Sequence, residues 1–284
     1  MAMFGLFKKK EKTEEKKPLS AHAEEMRTFA GQFLSEEMDI LAVTGAGGFG
    51  GNKADGDELF TVGAGLTAWM EEDSAEIHQG NFRLVTKADE TLVGYLQSRL
   101  PRDFIIKCKV RPHAEGQLFM LVGLPEPAFD PDLKAILLEQ KKPVTVEIEG
   151  LGAFTLNRGM GVLQQQVDWL GYEVQLCLDR EGDHAACAKT ALALLGDKES
   201  WDEKARALAV SKLLEKANEL AAEAGAEELT REEFLEGLEP ESIDVSEDGA
   251  FQLWYNDGGY LLGGHFVRVS GSVNEGVTDA AMEG

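Results

Sequence analysis

Asp39-Ile40-Leu41-Ala42-Val43-Thr44-Gly45-Ala46-Gly47-Gly48-Phe49-Gly50-Gly51-Asn52 is the stretch on which the reading of the fold turns. Its first six residues have the texture of a strand, and Gly45, Gly47 and Gly50 then satisfy G-x-G-x-x-G. In a doubly wound α/β fold such glycines let the backbone approach a pyrophosphate, and a helix starting at the third glycine meets it with its N-terminal amides. Here Gly51-Asn52-Lys53-Ala54-Asp55-Gly56-Asp57 follows, polar and without helical periodicity. No strand–helix–strand unit comes after it, and no acid stands where a ribose would need one. The segment 45–51 therefore reads as a glycine-rich loop between strands, with no cofactor assigned, and the fold class as α+β. A nucleotide-binding protein or enzyme built on 45–51 is the alternative.

Working outward, Met26, Phe29, Phe33 and Leu34 fall at helical spacing before this stretch. After it, β-rich runs at 59–62, 66–70, 76–85, 104–111 and 117–124 are separated by Gly, Asp and Pro, with one helix over 88–100. In the fourth run Phe104, Ile106, Cys108 and Val110 share one side, and Ile105, Lys107, Lys109 and Arg111 the other. Five strands with a helix in that position fit a small barrel of the oligonucleotide-binding type. Pro125, Pro127 and Pro131 mark a break, and a helix over 132–141 leads to Pro143. The expected organisation is a basic leader at 1–17, a helix plus β-rich domain at 18–143, and an α+β domain at 144–284, in keeping with a length of 284 residues.

The second half opens with an antiparallel meander of strands at 144–149, 153–156, 162–169 and 172–179, turning at 157–161 and at Leu170-Gly171. Two helices follow. Asp183 caps the first and Gly196 ends it; Ser200-Trp201-Asp202-Glu203 has the spacing of a capping box for the second, which runs to Gly225. Val210, Leu213, Leu214, Ala217, Leu220, Ala221 and Ala224 give that helix one long apolar face. A short helix at 231–238 precedes three more strands, 242–245, 250–255 and 265–270, the last two joined through Asn256-Asp257-Gly258-Gly259.

Charge excludes one function class. The chain holds 51 acids against 28 bases, a formal −23; residues 1–17 are +3 and the remainder is −26. A field of that sign repels phosphate backbones and favours basic partners. The leader, with Met3, Phe4, Leu6 and Phe7 ahead of Lys8-Lys9-Lys10, reads as a solvated tail; a membrane-peripheral adaptor held by those residues is the alternative. No apolar run approaches the ~20 residues of a membrane span. Three widely spaced cysteines, Cys108, Cys177 and Cys187, suit a reducing cytoplasm.

No residue is assigned to catalysis or to a metal. His22, His78, His113, His184 and His265 form no compact metal set, and no G-x-S-x-G elbow occurs. Cys177, His184 and Cys187, with Asp179 or Asp183 as a possible fourth ligand, lack paired zinc-ligand spacing, and the two cysteines read as core packing thiols. The segment 223–248 holds eleven acids and a single base, Arg231. Its functional reading is a docking surface for a basic protein, made of Glu228, Glu232, Glu233 and Glu236 with Trp254 and Tyr255 as aromatic anchors.

Several motifs of the second half resemble a bacterial family known as domain of unknown function 2262. They are Gly152-Ala153-Phe154-Thr155-Leu156, Val167-Asp168-Trp169-Leu170-Gly171, Trp201-Asp202, Pro240-Glu241-Ser242-Ile243, Glu247-Asp248-Gly249-Ala250-Phe251, Trp254-Tyr255-Asn256-Asp257-Gly258, Gly264-His265 and Gly276-Val277-Thr278-Asp279-Ala280. The resemblance covers 152–284 and implies no activity or cofactor. It makes Trp169, Trp254 and Gly264 structural residues, and His265 is expected in the core beside Val267 and Val269. The combined expectation is a cytoplasmic, non-enzymatic protein-interaction module, immunity-like in its most concrete form.

Overall fold

A computed structural model describes residues 20–223, 225–256, 262 and 264–283. The basic leader and the Asp257-Gly258-Gly259 turn lie outside the described residues. The chain divides into two compact units, Met1–Lys141 and Lys142–Gly284, and its class is α+β. Among the described residues no helix is long and apolar enough to cross a membrane.

In the first unit helix α1 (Ala21–Ala30) precedes strands β1 (Met38–Asn52), β2 (Phe60–Glu71) and β3 (His78–Ala88). Helix α2 (Glu90–Arg99) then leads to β4 (Ile105–Pro112), β5 (Leu118–Leu121), β6 (Glu126–Pro127) and α3 (Pro131–Gln140). Strand β1 pairs antiparallel with β2 on one edge and β4 on the other; β3 runs parallel to β5, and β4 antiparallel to β5. The circuit β1-β2-β3-β5-β4-β1, with its helix between β3 and β4, is the connectivity of the oligonucleotide-binding barrel. Period-2 alternation fills it: Ile40, Ala42, Leu66, Leu84, Ile106, Cys108, Val110 and Phe119 point inward, joined by Leu96 and Leu100 of α2. Outside, α3 seats Leu133 and Leu137 against Val43, Ala68, Met70 and Ile105. Phe29 of α1, with Phe33 just beyond it, packs on Val85 and Met120.

The glycines at 45–51 are not a loop. They lie inside β1, whose register with β2 jumps from Thr44↔Leu66 to Phe49↔Ala64, so that residues 45–48 bulge out of the ladder. A strand shared by two neighbours must coil sharply, and residues without a Cβ allow it. A Cβ on Gly51 would overlap the carbonyl oxygen of Thr61, and one on Gly63 that of Leu84. Buried Thr44 pins the bend, donating its Oγ1 to the carbonyl of Pro101 at 2.6 Å and accepting the Phe104 amide at 3.0 Å.

The second unit is one eight-stranded sheet with all its helices joining a single core. Strands β7 (Thr145–Ile148), β8 (Gly152–Asn157), β9 (Val162–Trp169) and β10 (Tyr172–Asp179) form the expected meander. Helices α4 (His184–Leu195), α5 (Lys198–Glu223) and α6 (Arg231–Gly237) intervene before β11 (Glu239–Val245), β12 (Ala250–Asn256), β13 (Phe266–Ser272) and β14 (Gly276–Glu283). Strand β14 was not among the expected strands. Strand β11 pairs parallel to β10, so the three helices are the crossover that joins two antiparallel four-stranded meanders. Leu176, Ile243, Leu253 and Val267 line the core with Ala191 of α4, Ala205, Ala209 and Ala217 of α5, and Phe234 of α6. Helix α5 starts at Lys198, so Ser200 sits in its first turn and is no N-cap; the capping box is instead Thr230 with Glu233, at α6.

Candidate functional site

The resemblance motifs of the second unit converge on one buried carboxylate. Asp202 of α5 is 6% exposed, and its Oδ1 accepts the indole N–H of Trp169 at 3.1 Å and the hydroxyl of Tyr255 at 3.0 Å. Its Oδ2 takes Arg206 Nε at 2.6 Å, and the same guanidinium donates to the Leu235 carbonyl at 2.7 Å and lies 5.2 Å from the Tyr255 ring centroid. Strand β9, helices α5 and α6 and strand β12 are thus tied at a single point. Burial and the Asp202 charge hold the Tyr255 hydroxyl well above its ordinary pKa. This is a fully satisfied structural lock. Tyr255, expected as a partner anchor, is 1% exposed and belongs to it.

Trp254 points the other way. On a strand successive side chains alternate, so Trp254 projects from the sheet face opposite the helices, half-buried, with Nε1 donating to Asp244 at 2.8 Å. Burial raises the Asp244 pKa; burial, with Asp244 adding, pushes the neighbouring Cys177 thiol up to about 12. Glu228, Glu232, Glu233 and Glu236 belong to α6 and the link before it, on the helical side. The sheet therefore separates Trp254 from the acidic residues with which it was grouped.

Those four glutamates are exposed but not equivalent. Glu233 Oε2 accepts the amide and the hydroxyl of Thr230, each at 2.8 Å, which holds its carboxyl below the usual range and makes it a cap. Glu228, Glu232 and Glu236 make no ion pair among the described residues. The second unit holds 28 of the 51 acids and 11 of the 28 bases, a formal −17. Several of its cations are already matched, Lys198 to Asp168, Arg206 to Asp202, Lys212 to Asp279 and Arg268 to Glu283.

The remaining candidates disperse. Cys177 lies on the open face of the sheet and Cys187 in the core on the other, while His184 Nε2 lies 3.1 Å from the carbonyl oxygen of Arg180. Cys177, His184 and Cys187 do not converge. His265 sits just ahead of β13, half-buried, and not in the core beside Val267 and Val269 as expected. Gly45, Gly47 and Gly50 lie within β1, which continues to Asn52, so no helix N-terminus follows Gly50. On the barrel's outer surface Lys87 is held between Glu25 at 2.6 Å and Asp57 at 2.7 Å.

The sequence reading missed Asp202 as the centre of the lock. Its signal was there: an acid in phase with Ala205, Ala209 and Leu213 on the buried stripe of a helix needs partners inside the fold.

Residues 149–282 match the family described as an uncharacterized protein conserved in bacteria (DUF2262), in agreement with the motif resemblance, and residues 25–140 match a domain of unknown function (DUF7021). No curated protein matches. Among solved structures, the single-stranded DNA binding protein from Thermus aquaticus is similar at 12% identity, over 51% of this chain and 74% of that one, with a TM-score of 0.23. A deletion mutant of the same protein gives 11% identity, coverages of 53% and 78%, and a TM-score of 0.22.

Proposed function

We propose that the chain is a non-enzymatic binding protein whose second unit engages a basic protein partner through its acidic helical side. The observation that carries this reading is the excess negative charge there: Glu228, Glu232 and Glu236 are exposed and make no ion pair among the described residues, in a unit of formal charge −17. Unpaired surface charge of one sign speeds encounter with the opposite sign and rejects phosphate-bearing ligands. Masking of a basic protein, as an immunity protein does, is the concrete form. Three free, buried cysteines suit a reducing compartment such as the cytoplasm.

The test is capture from a native lysate on the full chain and on the triple variant Glu228→Lys, Glu232→Lys, Glu236→Lys. A stoichiometric basic protein held at low salt, released at high salt and lost by the variant supports the reading. Capture that ignores both salt and the variant defeats it.

A further inference from the structure

The helical side carries more than charge. Along α5, residues 211, 214, 215, 218, 219 and 222 share one stripe, since three- and four-residue steps stay on one helix face. Beside this stripe runs an open groove of about 630 Å3, with Val210, Leu214 and Ala222 as an apolar floor and Glu215, Glu219 and Glu228 as its rim. Its far wall is fixed: Asn218 Oδ1 accepts the Leu229 amide at 2.7 Å, and its Nδ2 donates to the Leu229 carbonyl at 3.2 Å. That clamp ties the link carrying Glu228 to the middle of α5. The three rim carboxylates are exposed and make no ion pair among the described residues.

The geometry points to this groove as the docking site for an amphipathic, basic segment of the partner, its apolar side chains on Leu214 and Ala222 and its cations on Glu215, Glu219 and Glu228. The inference rests on the basic-partner reading and specifies its site and the pattern of its ligand. Charge alone attracts any polycation; an apolar floor between carboxylates selects one whose cations flank apolar side chains. Helix α6, with Glu232 and Glu236, lies outside the groove and contributes steering only.

Two fluorescent peptides of equal length and equal positive charge test this on the full chain, one patterned Leu/Lys as an amphipathic helix, the other Gly/Lys. The Leu/Lys peptide is expected to bind about tenfold more tightly or better at moderate salt and to slow amide exchange over 211–222 and at 229. Glu215→Lys with Glu219→Lys, or Ser211→Arg with Ala222→Arg to block the groove, should each weaken it about tenfold. All four positions are exposed, so the fold is retained. Glu36→Lys with Glu37→Lys, on the first unit, should leave it unchanged. Equal binding of the two peptides, or loss only in Glu232→Lys with Glu236→Lys, overturns the groove and leaves the basic-partner reading standing. If neither peptide binds at low salt, that reading falls as well.

Discussion

Tyr255 and Asp202, 53 residues apart in the chain, meet through a 3.0 Å hydrogen bond from the phenol to Oδ1 in the core of the second unit. Trp169 reaches the same oxygen from the end of β9, and Arg206 neutralises the other. Two aromatic donors and a guanidinium occupy three of the roughly four acceptor sites of this buried carboxylate, which is spent on structure. The Trp and Tyr of the family motifs are therefore explained by folding: they register the second meander and the long helix against the first meander.

Asp202→Ala should cost about 3–5 kcal/mol, because it strands Arg206, the Trp169 indole and the Tyr255 hydroxyl without their acceptor. Asp202→Asn keeps one acceptor oxygen and should cost less, and Tyr255→Phe, losing one donor, about 1–2 kcal/mol. Urea titration of the isolated variants gives the order. Equal and small losses for all three would mean that the lock is not a stabilising network.

The bulge in β1 makes a prediction opposite to that of a nucleotide fingerprint. Nothing lies within 4 Å of a Cβ built on Gly50, so Gly50→Ala should shift stability by well under about 1 kcal/mol. Gly51→Ala and Gly63→Ala drive a methyl into a neighbouring strand's carbonyl and should cost about 1–3 kcal/mol or more. Thermal unfolding of the three variants separates them. A phosphate-binding turn would instead make Gly50 the sensitive position.

Much of this architecture was legible because it is written in local periods. The alternation of Ile106, Cys108 and Val110 gave a barrel strand, and the 157–161 and Leu170-Gly171 turns gave the first meander. The glycine bulge was misread because residues without side chains show no alternation; their strand is defined by backbone pairing to β2 and β4 alone. Strand β14 is Gly-Val-Thr-Asp-Ala-Ala-Met-Glu, too poor in large apolar residues to announce itself, and of these only Ala280 is fully buried. The parallel β10–β11 join depends on pairing across three helices, which no local pattern reports. The candidate site was legible by residue type and not by face. Trp254 and Tyr255 are neighbours in sequence and so must point to opposite sides of the sheet, and only the packing of α5 shows which side is the core.

Thiol chemistry follows from burial. Burial first, with Asp39 adding, pushes Cys108 up to about 12, and burial with Asp244 does the same for Cys177. Cys187 is raised too, by burial and by Glu247, Asp183 and Asp179. At pH 8 a thiol of pKa near 12 is ionised to about one part in ten thousand, and all three are inaccessible. The native chain should therefore resist alkylation by iodoacetamide at pH 8 and take up three equivalents in denaturant. Mass spectrometry reads both states; rapid native labelling of any one cysteine contradicts the packing.

Helix α1 is fastened by a contact that acid releases. Glu25 accepts the Lys87 ammonium at 2.6 Å and the amides of Glu58 and Leu59 at 2.9 and 3.3 Å. The Lys87 hydrogen bond is the largest of the influences that hold its carboxyl below the ordinary value of 4.5. A carboxyl whose pKa is lower folded than unfolded stabilises the fold fully above the unfolded value, and that contribution is lost as pH falls through the folded value. The window thus lies below pH 4.5. Amide exchange over 21–30, corrected for its intrinsic pH dependence, should accelerate there while the barrel interior around Ile40 and Val110 stays protected. Glu25→Gln removes the charge without the shape and should bring the same loosening to neutral pH, with little further change on acidification. If the variant and the wild-type chain lose α1 protection over the same pH range, Phe29 and Phe33 hold the helix in place and the Glu25–Lys87 pair does not.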